Sequence, residues 1–197
     1  MLFDLDGVLV DSYEAWYRLA NAAARHFRKP DVTPERFKAG WGQGIDADIR
    51  DFFPGCTQQQ IESYYDDHLL DFGTHVRANP GARDLLVELR TAAKLRAVIT
   101  NTPTPAARDV LAWVGLIGLV DLTVGAGSRL RPKPAPDTLD FACSELQIRP
   151  EQAVLVGDSE VDARAAAAAG TGFIGYRCKS ARSVQQLSEV GDLVVPG

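Results

Sequence analysis

Apolar residues along the chain follow two alternating rhythms. Short apolar runs closed by Gly or a polar residue stand at 2–6, 95–100, 119–124, 153–157 and 171–176, with a sixth candidate at 192–195; such runs mark strands buried on both faces of a parallel sheet. Between them the apolar spacing turns helical. Ala82, Leu85, Leu86 and Leu89 fall at i, i+3, i+4 and i+7 behind Asn79 and Pro80, an expected N-cap and first helical residue, and predict a helix over 81–93. Thr104 and Pro105 open the next in the same way, with Ala106, Val110 and Val114 on one face and Gly115 placed to end it. Helices over 136–146 and 160–169 follow, the second running through five alanines into Gly170. Strand and helix therefore alternate, which predicts an α/β fold built on a doubly wound parallel sheet with right-handed crossovers.

One segment breaks this alternation. From 12 to 78 no strand is predicted, while Trp16, Leu19, Ala20, Ala23 and Phe27 mark an amphipathic helix, and Ile49, Phe52 and Phe53, then Ile61, Tyr64, Tyr65 and Leu69, mark others. The segment is far too long for a βα loop. It is expected to be an inserted all-helical domain over 12–78, splitting a core made of 1–11 and 79–197. Within it Gly40-Trp41-Gly42-Gln43-Gly44 suits neither helix nor strand. Two readings stay open: a specificity loop closing on a substrate through Gly42 and Gln43, or a tight turn between helices with Trp41 packed inside the insertion.

Composition narrows the function classes. The 197 residues are 46% hydrophobic and 24% charged, with a formal net charge of -5, so no attraction to nucleic acid or anionic lipid is expected. No apolar run is long enough to span a membrane, and Met-Leu-Phe-Asp does not open a signal peptide, so a cytoplasmic protein is expected. Cys56, Cys143 and Cys178 are odd in number and far apart, and His26, His68 and His75 lack ligand spacing. Neither a disulfide framework nor a zinc site is suggested. The chemistry must come from carboxylates.

In open α/β sheets ligands bind beyond the carboxyl ends of the strands, which directs attention to the residues just after each run. The first run ends in Asp4-Leu5-Asp6-Gly7, the second in Thr100-Asn101, the third leads to Arg131-Pro132-Lys133-Pro134, and the fourth ends in Gly157-Asp158-Ser159 with Asp162 one helical turn on. Strand alternation sends the Asp4 and Asp6 side chains to one side, where they can share a substrate. Asp-x-Asp-Gly alone is a modest signal, equally suited to a solvated turn. Polar clusters at the ends of three further strands, in a chain whose other strand residues are apolar, change that balance.

The string from Phe3 to Ser12, Phe-Asp-Leu-Asp-Gly-Val-Leu-Val-Asp-Ser, resembles motif I of the haloacid dehalogenase superfamily, phosphatase type. Val98-Ile99-Thr100-Asn101 resembles motif II, 131–137 motif III, and 156–162 motif IV, so the likeness spans nearly the whole chain. Its phosphoglycolate phosphatase-like branch, with a small helical cap, is the nearest in pattern. The resemblance implies a Rossmann-like core and an Mg²⁺-dependent phosphatase acting on a small phosphorylated metabolite, with a phosphoglycolate-like substrate favoured. It further implies Asp4 as nucleophile, Asp6 as general acid and base, and Thr100, Asn101 and Lys133 as phosphoryl-binding groups. The metal would lie on Asp4, the Asp6 main-chain carbonyl and Asp158, with Asp162 in support. Such a division of labour suits phosphate esters, whose hydrolysis needs charge neutralised and a nucleophile held in line. Asp11 and Ser12 are expected to cap the first helix of the insertion rather than to take part in the reaction.

Two positions depart from the pattern. Met1 leads straight into the first strand, which is therefore expected to be short, and Val8 stands where many phosphatases of this branch carry Thr, although Val is common there among sugar-phosphate mutases and phosphatases alike and leaves the reaction open. A phosphomutase of the β-phosphoglucomutase type would use the same acid pair. A dehalogenase would leave Asp6 idle, and a phosphonate hydrolase would need a cap lysine, for which Lys29 and Lys38 offer no desolvated setting. A phospho-accepting receiver module would share the sheet but has no reason to carry the insertion or a second acid. Substrate identity and oligomeric state stay open at this level.

Overall fold

The computed structural model describes residues 1–127, 129–178 and 182–194. Its centre is a six-stranded sheet of β1 (Leu2–Phe3), β4 (Ala97–Thr100), β5 (Leu122–Gly125), β6 (Val154–Gly157), β7 (Gly172–Tyr176) and β8 (Ser183–Val184). Spatial order is β5-β4-β1-β6-β7-β8, and every pairing is parallel. The chain thus begins in the middle of the sheet and winds outward in both directions, which places a switch point beside β1.

Alternation along each strand supplies two apolar faces. Leu2, Ala97, Ile99 and Leu155 join one core with Leu139 and Ala142 of α7 (Asp137–Glu145) and Ala165 and Ala166 of α8 (Glu160–Ala169). Phe3, Val98, Val156 and Ile174 join the other, with Leu85 and Leu89 of α5 (Ala82–Thr91), Val110 and Leu111 of α6 (Thr104–Trp113) and Val190 of α9 (Ser188–Val194). The alanines of α8 let that helix lie close against β6 and β7. Among the described residues no helix is long and apolar enough to cross a membrane.

Between β1 and α5 the chain forms α1 (Tyr13–His26), α2 (Pro34–Gly40), α3 (Ile45–Asp51) and α4 (Gln58–His68), followed by a 3-10 segment Leu69–His75. This cap region shares the second core through Leu19, Phe53, Ile61 and Leu69. Thr57 and Gln60 close a capping box at the start of α4. A two-residue antiparallel pair, β2 (Val10–Asp11) with β3 (Arg77–Ala78), sets the entrance and exit of the region side by side. The absence of strand expected over 12–78 thus fails at Arg77, because the departing and returning chains satisfy each other's backbone there.

Other sequence expectations shift for identifiable reasons. The first strand ends after Phe3: the Asp4 N–H still donates to Val156 O at 2.9 Å, but the Leu5 N–H turns to Asp4 Oδ1 at 2.8 Å, and Leu9 and Val10 then donate to Leu5 O. The sixth strand is not at 192–195. Residues 192–194 belong to α9, Val195 lies outside the described residues, and Ser183–Val184 pairs with β7 instead. The Glu189 carboxylate accepts from the Gln185 and Gln186 N–H groups just ahead of α9, favouring helix over strand. Asn79 is not a helix cap: α5 starts at Ala82, and the Asn79 amide donates to the carbonyls of Gly7 and Val8 at 3.2 and 2.8 Å. Thr104 is likewise inside α6, its hydroxyl accepting from the Gly125 N–H at 2.8 Å.

Gly125 ends β5 where the backbone of 102–104 crosses it. A Cβ there would sit 2.2 Å from Thr102 O and 2.5 Å from the Thr104 nitrogen. Main chain cannot swing aside as a side chain can, so Gly125→Ala is expected to lower the unfolding free energy by about 1–3 kcal/mol in urea titration.

Candidate active site

Four parallel strands, β1, β4, β5 and β6, deliver their carboxyl ends to one rim, and these ends and the chain beyond them supply the polar groups of a single cavity. Asp4, Asp6, Thr100, Asn101, Lys133, Asp158 and Asp162 all line it, facing Trp16, Trp41 and Asp48 of the cap region. Counted with its open mouth, the cavity holds about 820 Å³, room for a small metabolite.

Lys133 is its electrostatic centre. The buried ammonium donates to Asp4 Oδ1 at 2.8 Å, to Asp162 Oδ1 at 2.5 Å and to the Ile99 carbonyl at 3.1 Å. Burial works to lower the Lys133 pKa, but Asp4 and Asp162 outweigh it and the net shift is upward. Asp162 is tied twice, because its Oδ2 accepts from the Ser159 N–H and hydroxyl in the capping box that opens α8. Asp162 thus takes part in the capping box of α8 and lines the cavity at the same time.

Burial pushes the Asp4 carboxyl well up, with Asp162 and Asp158 adding to the rise and Lys133 opposing it. Burial, then Asp162, pushes Asp158 up to about 6. Oxygens of Asp4, Asp158 and Asp162 lie within 4.8 Å of one another. Three crowded carboxylates around one ammonium leave an excess of negative charge, and an all-oxygen donor set of this kind fits a hard divalent cation. Gly7 makes the approach possible: at φ +87° it carries no side chain, and a Cβ would lie 2.0 Å from Asp158 Oδ2.

Asp6 is held by groups expected from the sequence to have other roles or none. Trp16 Nε1 donates to its Oδ1 at 3.0 Å, the Ser12 hydroxyl donates to the same oxygen, and the Thr102 hydroxyl donates to Oδ2 at 2.9 Å. Ser12 corrects an expectation. It occupies the N-cap position of α1 but makes no side-chain cap bond, and it turns to the acid instead. Trp16 was legible as an apolar helix position, but its indole N–H has no sequence signature. Thr102, two residues past Thr100, stands where a strand-end hydroxyl could have drawn attention.

Thr100 Oγ1 accepts from the Thr102 N–H at 3.1 Å, leaving its own O–H to donate toward the cavity. Asn101 clamps the Lys133 backbone, its Oδ1 accepting from the Lys133 N–H at 2.7 Å and its amide donating to the Lys133 carbonyl at 3.0 Å. The same amide donates to the Gly42 carbonyl at 2.8 Å, fastening the glycine-rich loop to the sheet rim. The loop packs within the cap region and borders the cavity at once. Trp41 packs edge-on against Tyr13 and near Phe37, and it also lines the cavity. Gln43 is exposed, donates to the Ala39 carbonyl at 2.8 Å and does not line the cavity.

A doubly wound sheet with an acid pair after its central strand, a buried lysine and a helical insertion at the first crossover defines a class of hydrolases. A family model described as haloacid dehalogenase-like hydrolase matches residues 1–176. A phosphoglycolate phosphatase of Chromobacterium violaceum is 32% identical over 99% of this chain and 96% of its own. The chain belongs to the haloacid dehalogenase-like hydrolases, and its acid cluster and fold are the phosphatase-type hydrolase machinery of that family. Solved structures share the fold: CbbY of Rhodobacter sphaeroides in complex with phosphate superposes with a TM-score of 0.83 at 23% identity, covering 96% of this chain and 95% of that one. A haloacid dehalogenase-like hydrolase of Streptococcus pneumoniae gives 0.79 at 20% identity, covering 98% and 96%.

Asp48 adds a titration on the cap side of the cavity. Burial pushes its carboxyl up to about 7 from an ordinary 3.8, while a hydrogen bond from the Tyr65 hydroxyl opposes the shift. The folded protein therefore holds this proton more tightly than the unfolded chain, and unfolding releases it between about pH 4 and pH 7. The Asp48 contribution to stability is expected to be present below that window and to be lost as pH rises through it. Chemical denaturation at several pH values should show a shallower decline in Asp48→Asn than in the wild type.

Proposed function

We propose that the protein is an Mg²⁺-dependent phosphatase that hydrolyses a small phosphate monoester through an aspartyl-phosphate on Asp4. The observation that carries this reading is the placement of Lys133 between Asp4 and Asp162 at the carboxyl end of β1. In this reading 1–11 and 79–197 form the catalytic core and 12–78 the cap. Asp4, the Asp6 main-chain carbonyl and Asp158 would hold the metal, with Asp162 behind them, and the bound cation would offset charge on the phosphoryl oxygens.

The residues then act in sequence. Lys133 and the Thr100 hydroxyl hold the phosphoryl group, and the clamp from Asn101 fixes where Lys133 enters the cavity. An Asp4 carboxylate oxygen attacks phosphorus in line, the bond from phosphorus to the ester oxygen breaks, and Asp6 gives its proton to the departing alkoxide. The Asp6 carboxylate then takes a proton from water as the water oxygen attacks the aspartyl-phosphate, releasing phosphate and restoring Asp4. An indole N–H can only donate, so Trp16 keeps Asp6 Oδ1 an acceptor and leaves the proton to Oδ2. There the partner is the Thr102 hydroxyl, which can donate to a carboxylate or accept from an acid.

The name of the Chromobacterium relative puts phosphoglycolate first among substrates to assay. Asp4→Asn is expected to abolish release of p-nitrophenol from p-nitrophenyl phosphate with Mg²⁺, and steady turnover in this variant would overturn the proposal. Asp6→Asn should behave differently. p-Nitrophenolate leaves without a proton, so stopped-flow absorbance should show a burst of no more than one equivalent per enzyme followed by slow turnover. The same assays on a hexose 1-phosphate distinguish hydrolysis from isomerisation by the free phosphate produced.

A further inference from the structure

The reaction described above leaves one wall of the cavity without a task. Asp48 of α3 lines that wall, half-buried, with the Tyr65 hydroxyl donating to its Oδ2 at 3.0 Å. Tyr65 also packs edge-on against Trp16, with ring centroids 5.5 Å apart, so one side chain braces both the wall and the indole that holds Asp6. The rest of the wall is apolar or aromatic, including Phe37, Trp41 and Ile45.

Charge on the two sides of the cavity is unequal. Among the described residues lining it, Lys133 is the one cation, and it is engaged by Asp4 and Asp162. The phosphoryl half of a substrate is met by the Lys133 ammonium and, in the reading above, by the cation that the acid cluster would hold. Its leaving-group half is met by rings and a carboxyl group.

Resting on the phosphatase reading above, we propose that Asp48 is a specificity-determining residue that accepts a hydrogen bond from a hydroxyl or ammonium group on the leaving alcohol. The favoured substrates are then small polyol or amino-alcohol phosphates, and esters whose leaving group carries a carboxylate, phosphoglycolate among them, are disfavoured. A hydroxyl can donate to Asp48 in either protonation state, and an ammonium gains further from the charged one. A leaving-group carboxylate meets no counter-charge on this wall and is accommodated only when Asp48 holds a proton, a cost paid at binding.

The test measures kcat/KM by phosphate release from glycerol 3-phosphate, phosphoethanolamine, ethyl phosphate and phosphoglycolate, using the full chain with Mg²⁺ at one alkaline pH. Glycerol 3-phosphate, phosphoethanolamine or both are expected to exceed phosphoglycolate by about tenfold or more. Asp48→Asn should reduce the ratio of glycerol 3-phosphate to phosphoglycolate by about tenfold, chiefly through the KM for phosphoglycolate. A brace with no substrate contact would leave that ratio unmoved. Asp48→Ser provides a second variant if Asp48→Asn fails to fold, and the wild-type ranking stands on its own. Phosphoglycolate preferred by the wild type, or an unchanged ratio in a folded variant, overturns this inference alone. No hydrolysis of any ester overturns the phosphatase reading and the inference with it.

Discussion

A single buried ammonium organises the site. Lys133 arrives on the segment between β5 and α7, yet its three acceptors belong to β4, α8 and the chain just past β1. A lysine taken out of water is tolerated only when carboxylates surround it, and buried carboxylates need the lysine in return. The mutual requirement fixes the relative positions of otherwise separate elements. Asn101 sets the depth at which the side chain enters by gripping the Lys133 backbone on both its N–H and its carbonyl.

A second set of bonds joins the cap region to this centre. Trp16 of α1 reaches Asp6, the Gly42 carbonyl accepts from Asn101, and Gly73 approaches Trp113 so closely that a Cβ would lie 2.7 Å from its ring. These contacts are polar or steric and few, whereas Phe53, Ile61 and Leu69 bind the region into the main apolar core. The apolar contacts give adhesion; the polar ones give registry. Asp6 consequently depends on residues from both sides of the cavity, and its orientation follows the seating of α1.

Much of the fold was legible because the signals were redundant. Buried strands, Pro and Gly punctuation and helical spacing agree at 160–169, where α8 runs over the predicted residues and Gly170 adopts φ +75°. The misreadings occur where a side chain competes with the backbone. Asn79 resembles a helix cap in sequence but serves two carbonyls in the turn after β1, and Glu189 turns an apolar tail from strand to helix. Asp4, Thr100, Lys133 and Asp158 were legible at the site because polar residues are out of place at the ends of apolar strands. Ser12, Trp16 and Thr102 were not. Their importance comes from a contact with Asp6 across six, ten and 96 positions, which no local pattern encodes.

The paired neck of β2 and β3 has a consequence for how such a chain can diversify. Because Val10 lies opposite Ala78 and Asp11 opposite Arg77, everything between them begins and ends at the same point in space. The rim of the sheet therefore experiences the intervening residues as a closed loop of arbitrary length. Lengthening, shortening or exchanging that loop leaves the strand order and the Lys133 cluster untouched, provided the new segment still supplies the donors to Asp6 that Ser12 and Trp16 give here.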